Sequence, residues 1–93
     1  MVQGKQYSGT DVRRINGHQI QIWRTPNSLR FHAEKGGKIS LPVEKIESMV
    51  MEERKKGNIS ITIKIPIEKE KDVPITFSCR FLARQVKLAR LNM

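Results

Sequence analysis

Hydrophobic residues recur along this chain at two periods, and each period predicts a different element. Ile59, Ile61, Ile63 and Ile65 alternate with Ser60, Thr62 and Lys64. Strict period two puts one face of an extended segment in a core and the other in water. Val73, Ile75, Phe77 and Cys79 alternate in the same way beyond the charged link "EKEKD". Residues 59–65 and 73–79 therefore read as a hairpin with a solvated loop. Pro66 and Pro74 fall near strand ends, where a missing N–H is tolerated. Nearer the N-terminus, "DVRRINGHQIQIWRT" holds two short alternating runs about Asn16-Gly17. That pair readily takes the positive φ angles of a two-residue hairpin turn. "TPNS" (25–28) predicts a second turn, ahead of "LRFHA", where Leu29, Phe31 and Ala33 share a face. "EKGGK" predicts a third, ahead of "KISL", so a β-meander runs to Leu41. Residues 1–9, polar with Gly4 and Gly9, read as a loose arm before a single small basic domain over 10–93.

The helical period governs the C-terminal stretch "RFLARQVKLARLN". At 100° per residue Phe81, Leu82, Val86, Leu88, Ala89 and Met93 fill one wide arc, while Arg80, Arg84, Lys87 and Arg90 fill much of the other. Leu91 is the apolar residue on the basic side. Such a helix packs through one face and offers a cationic stripe through the other.

Residues 43–56 support both periods. Pro42 at a helix start, Glu44 and Glu47 in the first turn, and Arg54-Lys55-Lys56 before Gly57 mark a helix from both ends. Val43, Ile46 and Val50 lie on one helical face. The alternation of Ile46, Ser48 and Val50 with Glu47, Met49 and Met51 supports a strand instead. We adopt the helix. The expected fold is α+β: an antiparallel meander or roll of five or six strands, closed by a C-terminal amphipathic helix, with a second helix at about 43–56.

Two resemblances bear on this outline. The order "INGHQIQIWRTPNSLRFHAEKGGKISLPVEKIES", "NISITIKI", "PITFSCRFLARQVKLARL" resembles the bacterial pleckstrin-homology or GRAM-type roll over about residues 16–92. This resemblance implies a bent antiparallel roll plugged by the helix, acting as a non-catalytic adaptor. The tight Asn16-Gly17 turn departs from the roomy basic first loop of headgroup-binding members, which argues against phosphoinositides. "VRRINGHQIQIWRTPNSLRFHAEKGGKISLPVEKIESMV" is also similar to the positive-cofactor-type single-stranded-DNA-binding coactivators. There four strands lead into an amphipathic helix, and the likeness leaves 58–93 unaccounted for.

Charge narrows the function classes. The chain has 93 residues and a formal charge of +9, and its last 21 residues carry Arg80, Arg84, Lys87 and Arg90 with no acid. A field of this sign attracts polyanions. One cysteine excludes an intrachain disulfide, no apolar run approaches the roughly 18 residues of a membrane span, and "MVQGKQYSGT" is no signal peptide, so a cytoplasmic protein is expected. His18, His32 and Cys79 lack metal-ligand spacing, and the pattern places Cys79 in the core beside Phe77. No Ser-His-Asp set is legible, and the acids sit in solvated runs, which points away from an enzyme or a cofactor.

The candidate anion-binding residues are therefore basic. Arg13 and Arg14 lie on the first strand, Arg24 and Arg30 flank the Pro26 turn, and Lys35 and Lys38 bracket Gly36-Gly37. A Gly-Gly turn between lysines can aim backbone N–H groups at one phosphate, and it equally reads as an ordinary flexible turn with solubilising lysines. Trp23 alternates with Gln19 and Gln21, opposite Ile20 and Ile22. It either sits on the wet face, where it can stack a base, or covers a second small core. With Arg80, Arg84, Lys87 and Arg90, these residues predict a protein that binds DNA or RNA through phosphate contacts, with weak sequence preference. The alternative is an adaptor docking an acidic protein partner. An anionic membrane is not the expected partner, and the pattern sets no oligomeric state.

Overall fold

The computed structural model describes residues 9–15, 17–68 and 71–91. The period-two segments form six antiparallel strands: β1 (Gly9–Ile15), β2 (His18–Arg24), β3 (Ser28–Ala33), β4 (Lys38–Pro42), β5 (Ser60–Glu68) and β6 (Lys71–Ser78). Two helices, α1 (Val43–Lys55) and α2 (Cys79–Arg90), follow β4 and β6. Strands β1 to β4 make one sheet in sequence order, and β5 pairs with β6 in a second. The expected α+β class, with its closing helix and the helix after β4, is the observed one.

Each turn has an identifiable cause. Ile15 pairs with His18, leaving a two-residue connection in which Gly17 has φ +80°; Asn16 lies outside the described residues. Thr25 pins the next turn: its Oγ1 accepts from the backbone N–H of Ser28 at 2.9 Å, and its own N–H donates to the Ser28 carbonyl. The loose arm expected over 1–9 also lies outside the described residues, except for Gly9, which pairs with Arg24.

Helix α1 wins over the strand alternative because its ends are satisfied. Pro42 is extended and stands just before the helix, one position earlier than expected, and the Val43 N–H donates to the Asn27 carbonyl at 2.9 Å. At the other end Asn58 N–H donates to the Glu53 carbonyl and Gly57 N–H to that of Arg54, with Gly57 at φ +84°. This paired closure is a Schellman motif, which consumes carbonyls that a helix end would otherwise leave bare. Val43, Ile46 and Val50 are the buried residues of α1, as their helical spacing requires.

The core gathers the inner rows of both sheets between the helices. Ile20, Ile22, Leu29 and Phe31 face it from the first sheet, Ile61, Ile63, Ile65, Ile67, Ile75 and Phe77 from the hairpin, and Leu82, Val86 and Ala89 from α2. Phe31 meets Phe77 with ring centroids 5.3 Å apart, and Phe77 stacks on Phe81 at 6.0 Å. The guanidinium of Arg13 lies 4.7 Å above the Phe81 ring, so this aromatic column runs from the core to a surface cation. Ser78 caps α2 by accepting from the Phe81 N–H at 3.0 Å.

Three details of the hairpin differ from the sequence reading. The strands continue into "EKEKD", to Glu68 and from Lys71, because Ile67 extends the buried row past Pro66 with a bulge. Ile59 is not in that row; it lies in the connection after α1 and is 81 % exposed. Cys79 is buried as expected, but as the first residue of α2, its N–H donating to the Ile59 carbonyl at 2.8 Å.

Gly37 joins the two sheets. A Cβ built there would stand 1.2 Å from the carbonyl oxygen of Pro66, so the β3–β4 turn rests directly on the β5 backbone. At Gly57 a Cβ would meet nothing, and only its positive φ resists substitution. Gly57→Ala is expected to cost about 1 kcal/mol, whereas Gly37→Ala forces the turn off β5 and costs about 3 kcal/mol, the upper end of overpacking penalties. Urea denaturation of both variants checks the order; equal midpoints would mean that this turn does not rest on β5.

Candidate nucleic-acid interface

Strand register decides which polar residues share a face. Antiparallel partners project to the same side, so the outer face of the first sheet is built in rungs. Trp23, Arg30 and Ser40 form one rung, since Trp23 pairs with Arg30 and Arg30 with Ser40. Val12, Gln21, His32 and Lys38 form the next, and Arg14 with Gln19 a third. No acid stands on the first two rungs, while the third runs from Gln19 to the exposed Glu34, whose N–H donates to the Gln19 carbonyl at 3.2 Å. Val12, Arg14, Gln19, Arg30, Lys38 and Ser40 are exposed, while Gln21, Trp23 and His32 are half-buried.

Two aromatic rings meet on this face. Trp23 and His32 lie diagonally across β2 and β3, with centroids 5.6 Å apart and planes tilted by 35°. Trp23 therefore belongs to the outer side of the sheet, where it is half-buried, while both described helices pack into the core on the other face. Burial, with Lys38 and Arg30 nearby, lowers the pKa of His32 below its usual 6.5. Its ring is accordingly neutral at pH 7. Its Nε2 is enclosed and has no hydrogen-bond partner among the described residues. Arg30, His32, Lys38, Ile39 and Ser40 line a cavity of about 310 Å³ beside this pair.

A second basic surface lies on α2. Arg80, Arg84, Lys87 and Arg90 are all exposed there. Arg90 is spoken for by Glu47 of α1, with Nη2 to Oε1 at 2.7 Å. The other three, with Ala83 and Leu88, line a shallow hollow of about 380 Å³. Arg13 belongs to this side and Arg14 to the outer face of the sheet, because consecutive strand residues project oppositely. Arg14 also donates from Nη1 to the Gly17 carbonyl at 3.1 Å, which steadies the β1–β2 turn.

Two of the expected contacts take other roles. Arg24 is not on the surface: it is 8 % exposed, on the inner face, and its Nη1 donates to Gln85 Oε1 of α2 at 2.7 Å. The same period two that exposes Trp23 turns its neighbour inward. The Gly36 N–H, expected to face an anion between Lys35 and Lys38, donates to the Ala33 carbonyl at 3.0 Å. Lys35 is exposed in that turn, and Lys38 begins β4 on the outer face.

Sequence reasoning passed over His32, Ser40 and the two glutamines as site residues. His32 stands two positions from Arg30, so the alternation carried that signal. Ser40 needed the register across the β3–β4 turn. Among the described residues no group of three or more His, Cys, Asp or Glu could hold a metal ion, and no helix is long and apolar enough to cross a membrane. No family model, curated protein or solved structure matches this chain.

The Arg24–Gln85 bond ties α2 to the sheet and generates a stability test. Gln85→Leu removes a charge-assisted hydrogen bond and is expected to cost about 2 kcal/mol. Arg24→Leu/Gln85→Leu, which removes both polar groups, should lose less than the two single changes combined. Urea midpoints of the four proteins give the coupling, and strict additivity would show that the pair does not act as a unit.

Proposed function

We propose that this protein is a non-enzymatic binder of single-stranded nucleic acid, DNA or RNA, using the outer face of strands β1 to β4. One observation carries the reading: the outer sheet face sets the Trp23–His32 ring pair among Arg14, Arg30 and Lys38. Arginine and lysine neutralise phosphates and release counterions, while an aromatic ring stacks on any unpaired base. In a duplex the base faces are already stacked on one another, so Trp23 has nothing to stack against. The glutamines and Ser40 add hydrogen bonds without a fixed base code, so sequence preference is weak. The positive-cofactor-type resemblance forms part of this proposal, resting on the outline of four strands followed by a helix.

The second reading is an adaptor for an acidic protein, as the pleckstrin-homology or GRAM-type resemblance implies. Its support is the α2 hollow, with Ala83 and Leu88 between the charges of Arg80, Arg84 and Lys87. An acidic amphipathic segment has the matching chemistry.

Fluorescence anisotropy across a salt series separates the two. Labelled single strands should bind more tightly than duplex of the same length. Trp23→Ala should lose about 1–3 kcal/mol, and Arg30→Ala or Lys38→Ala should each reduce the log–log salt slope by about 0.7. Arg84→Glu/Lys87→Glu should change single-strand affinity less than Trp23→Ala does. The reverse order would move the nucleic-acid contact to α2, and negligible binding of every oligonucleotide near physiological salt would favour the adaptor.

A further inference from the structure

We propose that the cavity between β3 and β4 is a phosphomonoester site, which receives the terminal phosphate of a single strand whose end base lies against Trp23. This inference rests on the single-strand reading and specifies which part of the ligand the sheet holds. Two adjacent rungs place Arg30 beside Ser40 and His32 beside Lys38, so four polar side chains converge on one volume of about 310 Å³. Two are fixed cations, one is a hydroxyl donor and one is an imidazole that can gain a proton. Among the described residues no acid lines the cavity.

The charge of the ligand follows from that set. A phosphodiester carries one negative charge, whereas a terminal phosphomonoester carries about 1.5 to 2 near pH 7. Arg30 and Lys38 match the monoester, and His32 makes the match adjustable. In the free protein Lys38 from β4 and Arg30 from β3 both disfavour its imidazolium, adding to burial. On its other side β2 contributes Gln21 and Trp23, neither of which titrates near neutrality. A dianion in the cavity reverses the local field and favours the imidazolium, so binding takes up a proton. The enclosed Nε2 gains the partner it lacks once the ring turns about χ2, a soft torsion for histidine. Trp23, 5.6 Å from the His32 ring, then lies next to the phosphate site, where the terminal base would stack.

The test compares one short oligonucleotide in three forms: 5′-phosphorylated, 3′-phosphorylated and without a terminal phosphate. Anisotropy titrations should show about a tenfold preference for at least one phosphorylated end, and the responding end gives the strand's polarity on the sheet. That preference should grow from about pH 7.5 to about pH 6.5, as His32 protonates more readily in the complex. Protonation of the phosphate itself works in the opposite sense, so growth in this window belongs to the protein. Lys38→Ala should erase the preference. His32→Gln should keep part of it and lose its pH dependence, and Arg84→Glu/Lys87→Glu should leave it intact. Equal binding of all three oligonucleotides overturns the phosphate site and leaves the single-strand reading standing. A preference that survives both Lys38→Ala and His32→Gln overturns the site as well. Binding of none of the three overturns both.

Discussion

A four-stranded meander has one apolar face that has to leave water, and the cover laid over that face by α2 and the β5–β6 hairpin determines the rest of this structure. Ile20, Ile22, Leu29 and Phe31 are dry because Leu82, Val86 and Ala89 of α2 and the isoleucine row of β5 pack over them. The cover is held in place by specific contacts. Arg24 reaches from β2 to Gln85 on α2, the Cys79 N–H closes onto Ile59, and Gly37 lets the β3–β4 turn lie against Pro66. A hydrogen-bonded guanidinium in a largely apolar interior adds little to stability over an apolar pair. It does penalise any docking of α2 in which the two polar groups miss each other, so it favours one register of helix on sheet.

Covering one face leaves the other wet, and this division is where architecture becomes function. Because side chains alternate along a strand, Arg24 and Trp23 have opposite fates although they are neighbours. The same rule separates Arg13 from Arg14: one crosses to Phe81 and the α2 surface, and the other stays with the outer face. The cationic surplus is thereby split into two patches that meet around the β1 strand. Arg90 is partly neutralised by Glu47 and is the weakest member of the α2 stripe.

Much of this was legible in the chain. The isoleucine alternation gave the hairpin, Asn16-Gly17 and "TPNS" gave the turns, and the end signals of 43–56 outweighed its accidental alternation because helix ends need hydrogen-bond partners. What stayed hidden required contacts distant in sequence. Ile59 fits the period but precedes the first paired residue, Ser60, so the pairing partner and not the pattern decided its exposure. Nothing local to Gln85 discloses that Arg24, 61 positions away, points at it. The lysine–glycine turn left an anion cradle and an ordinary turn both open, because the sequence cannot show that the Gly36 N–H is consumed within the turn. The outer-face site was half legible: alternation placed Trp23, Arg30 and His32, while the β3–β4 register that adds Lys38 and Ser40 depended on the length and shape of that turn.

The sheet face and the helix stripe differ in kind, and that difference is why we propose the sheet as the contact surface. Charges on a helix attract any polyanion, folded or not, and the one ring beside this stripe, Phe81, is half-buried and already lies under the Arg13 guanidinium. The sheet face carries fewer fixed cations but adds a ring pair that only planar, unpaired groups can use. Long-range attraction from α2 and Arg13 can therefore raise the rate of encounter without setting the choice of ligand. On the proposed reading discrimination would fall to Trp23 and His32, through short-range packing that salt screens little. On the proposed single-strand reading, Arg30 and Lys38 would make the salt-sensitive phosphate contacts, α2 would add long-range attraction, and the ring pair would govern which ligand is held.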